Sequence, residues 1–147
     1  MTYNYPAQSY LSKTVLSGVF AGIIGTLSNL AFDYFFRSYT EFPLSQIINV
    51  STIIFATMLF FTVAGVMFYF LSSLLKKGQI VYIIVYAAIA LLCLNWGLHV
   101  QRSADLKVSA EFRTLLVGIL SISFILATLF IPYLMNHQSI FLDENDY

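Results

Sequence analysis

Of 147 residues, 59% are apolar and only 10% charged, with a mean hydropathy of +0.82, against about 45–50% apolar and about 25% charged in soluble domains; a soluble globular fold is excluded. Seven Lys+Arg against seven Asp+Glu leave no basic field for nucleic acid and no acidic one for a cationic partner. The single cysteine, Cys93, excludes an internal disulfide and any CxxC or Cys/His cluster, so neither a cofactor nor a metal site is expected.

A helix rises about 1.5 Å per residue and the hydrocarbon core is about 30 Å thick, so a crossing takes on the order of 20 nearly uncharged residues. Four segments meet this: Val15–Phe36, Ile47–Leu75, Gln79–Val100 and Thr114–Met135. Strands would leave backbone groups unpaired in lipid. The expected fold is therefore all-α, an integral membrane four-helix bundle running up-down-up-down, with residues 1–147 forming a single four-span membrane domain.

The first segment carries no charge before Asp33, and Gly18, Gly22, Gly25, Asn29 and Asp33 follow at intervals of 4, 3, 4 and 4. At about 100° per residue these five fall within a stripe roughly 80° wide. Gly18-x3-Gly22 is the small-xxx-small pattern through which membrane helices approach closely, so the packing face is expected to carry Asp33 as well. The apolar run exceeds the about 7–15 residues of a signal peptide core and ends in Asn-Leu-Ala-Phe-Asp, so it reads as a retained helix. Pro43, tolerated in a helix's first turn, then marks a hairpin into the second segment.

In the second segment Asn49, Thr52, Ala56 and Met67 share a face, and Lys76-Lys77-Gly78 supplies a tight reversal. In the third, Asn95, His99 and Arg102 share a stripe, with Tyr82, Tyr86 and Cys93 roughly opposite; Cys93 reads as an inert small hydrophobe. The charged stretch from Gln101 to Arg113 reads, in its later part, as an interfacial extension of the fourth helix. There Glu111, Thr114, Gly118, Ser121, Thr128 and Pro132 line up. Each polar or small face is expected to turn inward, since lipid satisfies neither an amide nor a carboxylate. Short polar tails, 1–11 and 136–147, are expected to be mobile.

Alternating helix direction brings Asn29, Asp33, Arg37, Asn49, Asn95, Trp96, His99, Arg102 and Glu111 to one end of the bundle, and these are the candidate ligand-binding or proton-relay residues. The expected site is one polar pocket beneath the first and third connections, with Asn29, Asp33, Asn95 and His99 converging. Gly18, Gly22, Gly25 and Gly118 are the candidate helix-packing residues. Plainer roles stand beside these: an Asp33–Arg37 ion pair with a snorkelling arginine, and an interfacial belt of Trp96, Tyr34, Phe35, Phe36, Tyr39 and Phe42. Asn29-x3-Asp33-x3-Arg37 also echoes Asn95-x3-His99-x2-Arg102, which would suit a parallel repeat of hairpins.

No HExxH, GxSxG or phosphate-cradling glycine loop is present, and no catalytic residue is assigned. The expected function is binding or transport of a small solute, ion or lipid headgroup, or service as a membrane partner subunit; the alternative is a small membrane enzyme using Asp33 and His99 as acid and base. The expected partners are the lipid bilayer and a second copy or another membrane protein, with no nucleic acid. The expected location is the inner or plasma membrane. Lys13, Lys76 and Lys77 on the terminal side nearly balance Arg37, Arg102, Lys107 and Arg113 on the other, and the free α-amine tips the expectation towards cytoplasmic termini.

Overall fold

A computed structural model describes residues 9–43 and 46–137; Asp143, Glu144, Asp146 and most of both polar tails lie outside the described residues. Four helices, α1 (Tyr10–Thr40), α2 (Val50–Leu74), α3 (Gly78–His99) and α4 (Leu106–Asn136), account for the described fold. Each is long and apolar enough to cross a membrane. Local chemistry sets their ends. Ser9, Asn49 and Asp105 each accept a backbone N–H in the first turn, from Ser12 (3.2 Å), Thr52 (3.0 Å) and Lys107 (2.9 Å). Glu41 closes α1 in the left-handed region (φ 54°) and donates its N–H to the Arg37 carbonyl at 2.9 Å. The charged stretch after Asp105 is helical and belongs to α4.

Helix α1 packs most extensively on α2 and next on α4, while α3 packs on α4 and α2. No Cα of α1 lies within 8 Å of a Cα of α3 among the described residues. The α1–α2 crossing is backbone against backbone. A Cβ placed on Gly18 would stand 2.6 Å from the Phe61 carbonyl oxygen and 3.1 Å from the Gly65 Cα, and one on Gly65 would stand 2.6 Å from the Thr14 carbonyl oxygen. Further along, Gly22 meets Met58 and Phe61, and Gly25 lies against the Phe61 ring. Gly118 of α4 receives the Phe32 ring of α1.

Aromatic side chains fill the centre. Phe61, Phe68, Tyr82, Tyr86 and Phe124 are buried there with Ala21, Ala64 and Ala127, and ring centroids lie 4.5 Å apart for Tyr82–Tyr86, 5.0 Å for Phe68–Tyr82 and 5.1 Å for Phe60–Phe124. The Tyr82 hydroxyl donates to the Ala127 carbonyl at 2.8 Å. A second apolar cluster, Phe42, Ile48, Ile53, Phe112 and Leu115, sits between the α1–α2 and α3–α4 connections.

Three helix faces depart from the sequence reading. Helix α3 turns Tyr82 and Tyr86 inward, with Cys93 packed against the aromatic cluster, and leaves Asn95 and His99 exposed. A tyrosine satisfies both demands of the interior, its ring apolar and its hydroxyl bonded to a carbonyl. Helix α2 is rotated by one residue: Ile53, Thr57, Phe61, Ala64 and Phe68 are buried, while Thr52 and Ala56 are exposed. On α4, Ser109, Phe112, Leu115, Ser123 and Ala127 are buried and Thr114 is exposed, although Pro132 does face inward. In both helices bulky apolar side chains (Ile53, Phe61 and Phe68; Phe112 and Leu115) share the interior with small and polar ones (Thr57 and Ala64; Ser109, Ser123 and Ala127).

Candidate functional site

The stripe on α1 buries two separate polar features. The deeper is Asn29, fully buried, whose Nδ2 donates to Thr57 Oγ1 of α2 at 3.1 Å and to Ser123 Oγ of α4 at 2.8 Å. One amide thus joins three helices. Its Oδ1, and Thr26 Oγ1 one turn earlier, are sealed from solvent without a partner, each at a cost of about 1–3 kcal/mol. Thr57 and Ser123 were absent from the sequence-derived candidates. No sequence signal set them apart: Thr62 and Ser121, hydroxyls on the same two helices, bond their own backbone instead.

The second feature lies one turn on. Asp33 is 4% exposed, and its Oδ1 accepts from Arg37 Nε at 2.8 Å. The arginine also donates from Nη1 to the carbonyls of Pro43 (2.8 Å) and Phe42 (3.4 Å), and from Nη2 to that of Ile48 (2.8 Å). Its guanidinium lies 5.6 Å from the Phe42 ring centroid. Arg37 therefore fastens the end of α1 to the chain leading into α2. The other carboxylate oxygen of Asp33 has no hydrogen-bond partner and is not sealed off. Asp33 lines a groove of about 520 Å³ with Leu30, Tyr34, Arg37 and Ser38 of α1 and Val50 of α2.

The expected four-residue convergence does not occur, because α3 faces the other way and lies across the bundle from α1. His99 Nδ1 is 2.7 Å from the Asn95 carbonyl of its own helix, both residues are exposed, and Trp96 beside them is 71% exposed. At a helix end, headgroups and water can serve such groups, so nothing drives them inward. The single polar pocket expected beneath the two connections is replaced by the apolar cluster of Phe42, Ile48, Ile53, Phe112 and Leu115. Asn49 is the cap of α2, bonded to Thr52 and Gln46. Arg102 stands 4.9 Å over the Phe112 ring, and Glu111 is 4.0 Å from Lys107. The echo between the first and third segments has no structural counterpart: Asp33 bonds forward to a side chain, His99 back to a carbonyl.

The contrast between Asn29 and the α3 pair is measurable. Asn29→Ala is expected to lower stability by about 1–2 kcal/mol, two interhelical hydrogen bonds of about 0.6 kcal/mol each plus lost packing. Asn95→Ala and His99→Ala should each stay within about 0.5 kcal/mol. Unfolding titrations in mixed micelles check both, and equal losses at Asn29 and His99 would contradict the placement of α3.

No family model, no curated protein and no solved structure matches the sequence, and the functional reading therefore rests on this geometry.

Proposed function

We propose that the chain is a small multi-pass protein of the inner or plasma membrane, crossing up-down-up-down with cytoplasmic termini, which acts by binding at the groove over Asp33 rather than by catalysis. Neighbouring helices running in opposite directions are supported by the order of their contacts: Gly18 with Gly65, Gly25 with Phe61, Asn29 with Thr57 and Arg37 with Ile48 advance along α1 while retreating along α2 and into the chain ahead of it. Met135, Ser123 and Gly118 meet α1 in the same reversed order, at Ser17, Asn29 and Phe32. An Asp/His acid–base pair finds no support, since α1 and α3 have no Cα atoms within 8 Å of each other and His99 is exposed and bonded within its own helix.

The observation that carries the binding role is the state of Asp33. A carboxylate withdrawn into a membrane bundle is costly, and this one is neutralised through one oxygen only, the other without a protein partner, at a residue that lines a groove of ligand size. Binding is tested by extracting the protein with its native lipid and identifying retained small molecules by mass spectrometry. A retained molecule that disappears in Asp33→Asn but persists in His99→Ala is the expected result. If nothing is retained by the unaltered protein, the binding role is wrong.

A second reading, a membrane partner subunit, draws on α3. It is the least buried helix, and with α4 it forms an outward groove of about 420 Å³ in which Ala87, Ala90, Ser121 and Thr128 lie among bulky apolar side chains such as Leu91 and Ile125. Co-purification of a stoichiometric membrane partner, lost on Ala90→Leu, would favour this role.

A further inference from the structure

Resting on the binding role above, we propose that the groove takes the headgroup of a phosphoethanolamine lipid, a zwitterion with a primary ammonium, from the surrounding bilayer. The acceptor side comes from Asp33. An ionised carboxylate can only accept, so its unpartnered oxygen requires a ligand that donates, and a cationic donor best matches its charge. The donor side lies beside it. Tyr34 and Ser38, whose hydroxyls have no hydrogen-bond partner, line the same groove. Arg37, which has five N–H groups, retains one on Nη2 beyond its bond to Ile48. One acceptor next to three donors matches an ammonium joined to a phosphate.

Charge narrows the class further. Asp33 and Arg37 cancel, so neither a free cation nor a free anion gains net attraction, whereas a zwitterion can address both groups at once. A quaternary choline has no N–H to give Asp33, which selects the primary ammonium. The rest of the groove suits a lipid and not a soluble headgroup. Residues 30, 33, 34, 37 and 38 share one face of α1 at helical spacing, and Leu30, a turn deeper than the polar groups, provides with Val50 an apolar wall for the start of an acyl chain. The groove lies level with the beginning of α2, because Arg37 is bonded to Ile48 just ahead of Val50; headgroups occupy that depth when α2 spans the hydrocarbon.

The test reconstitutes the full chain into nanodiscs of phosphatidylcholine containing a minor fraction of phosphatidylethanolamine or phosphatidylglycerol, and measures the lipid retained after extraction by native mass spectrometry. Phosphatidylethanolamine should be retained about tenfold or more over phosphatidylcholine, the discrimination expected of a charge-assisted hydrogen bond. The double variant Tyr34→Phe/Ser38→Ala should lower that retention about tenfold without moving the melting temperature in pure phosphatidylcholine, since both side chains are exposed and no structural bond is removed. Soluble phosphoethanolamine should give no melting shift, and a shift equal to the lipid's would overturn the bilayer as the source. Equal retention of phosphatidylethanolamine and phosphatidylcholine, or undiminished retention by the double variant, overturns the assignment. Selective retention of phosphatidylglycerol overturns the ammonium while leaving a binding groove. No retained lipid of any class, together with no molecule retained from native lipid, overturns the binding role itself.

Discussion

Gly65→Val is expected to separate α1 from α2 and to destabilise the bundle by about 3 kcal/mol, the upper end of overpacking costs. At this crossing the obstacle to a side chain is backbone: the Thr14 carbonyl oxygen at 2.6 Å and the Gly18 Cα at 3.2 Å. Rotamer changes cannot clear a main-chain atom, so the two helices must move apart, and every contact they share weakens with them. Gly18→Val should behave alike, because its obstacle is the Phe61 carbonyl oxygen. Gly22→Leu should cost less, since the flexible Met58 thioether is one of its two close neighbours, each at 3.2 Å. Gly97→Ala is the control: its nearest neighbour is a Val117 methyl at 3.5 Å, an ordinary contact, and alanine favours the helix. Melting in detergent, read by circular dichroism, should rank the variants Gly65 and Gly18 lowest, then Gly22, with Gly97→Ala near the unaltered protein. An unchanged melting temperature for Gly65→Val would show that α1 and α2 do not cross at these residues.

The second large effect concerns Arg37. Removing the arginine leaves a carboxylate that is only 6% exposed at its side chain without its cation, a change of about 3–5 kcal/mol when one partner of a buried pair is lost. Asp33→Asn should cost less, about 1–2 kcal/mol, because the amide oxygen can still accept from Nε and the arginine keeps its carbonyl partners. The double variant Asp33→Asn/Arg37→Gln should recover part of the Arg37→Gln loss and no more. Neutralising Asp33 removes the stranded charge, whereas the bonds to Pro43 and Ile48 remain lost. A four-variant unfolding cycle gives the coupling directly. Recovery to the unaltered stability would mean that the carbonyl bonds contribute nothing; no recovery would mean that Asp33 and Arg37 are energetically independent.

The first helix was legible in the sequence because two separate signals coincided there. Glycine spacing and polar spacing named the same face, and Gly18, Gly22, Gly25, Asn29 and Asp33 are all buried. On α3 the signals diverged. Asn95 and His99 are more polar than Tyr82 and Tyr86, but water and headgroups can serve them at the helix end, whereas a tyrosine ring gains from burial and its hydroxyl can find a carbonyl inside, as that of Tyr82 does at Ala127. Polarity alone therefore assigned the wrong face. On α2 a rotation of one residue separated the expected Thr52 and Ala56 from the buried Ile53 and Thr57, a difference of about 100° that a nearly uniform apolar segment cannot resolve by pattern. Thr57 and Ser123 follow from the same limit: a hydroxyl on a membrane helix can bond its own backbone, as Thr62 and Ser121 do, so only knowledge of what lies opposite distinguishes a bridging one. The groove was half legible. Asp33 and Arg37 stood out as charges, but Tyr34 read as part of the aromatic belt and Ser38 carried no signal until α2 supplied the facing wall.

The outward position of Trp96 decides what light can report about this protein. It is the only tryptophan in the chain and is 71% exposed, so its indole samples the medium around the helices, not their interior. Opening the bundle would change that medium little, and intrinsic emission would register unfolding weakly. The same indifference makes the residue a clean optical depth gauge: excited selectively beyond the tyrosine absorption, its colour and its quenching by bromine-labelled acyl chains report how far the end of α3 sits beneath the bilayer surface, undisturbed by a second tryptophan.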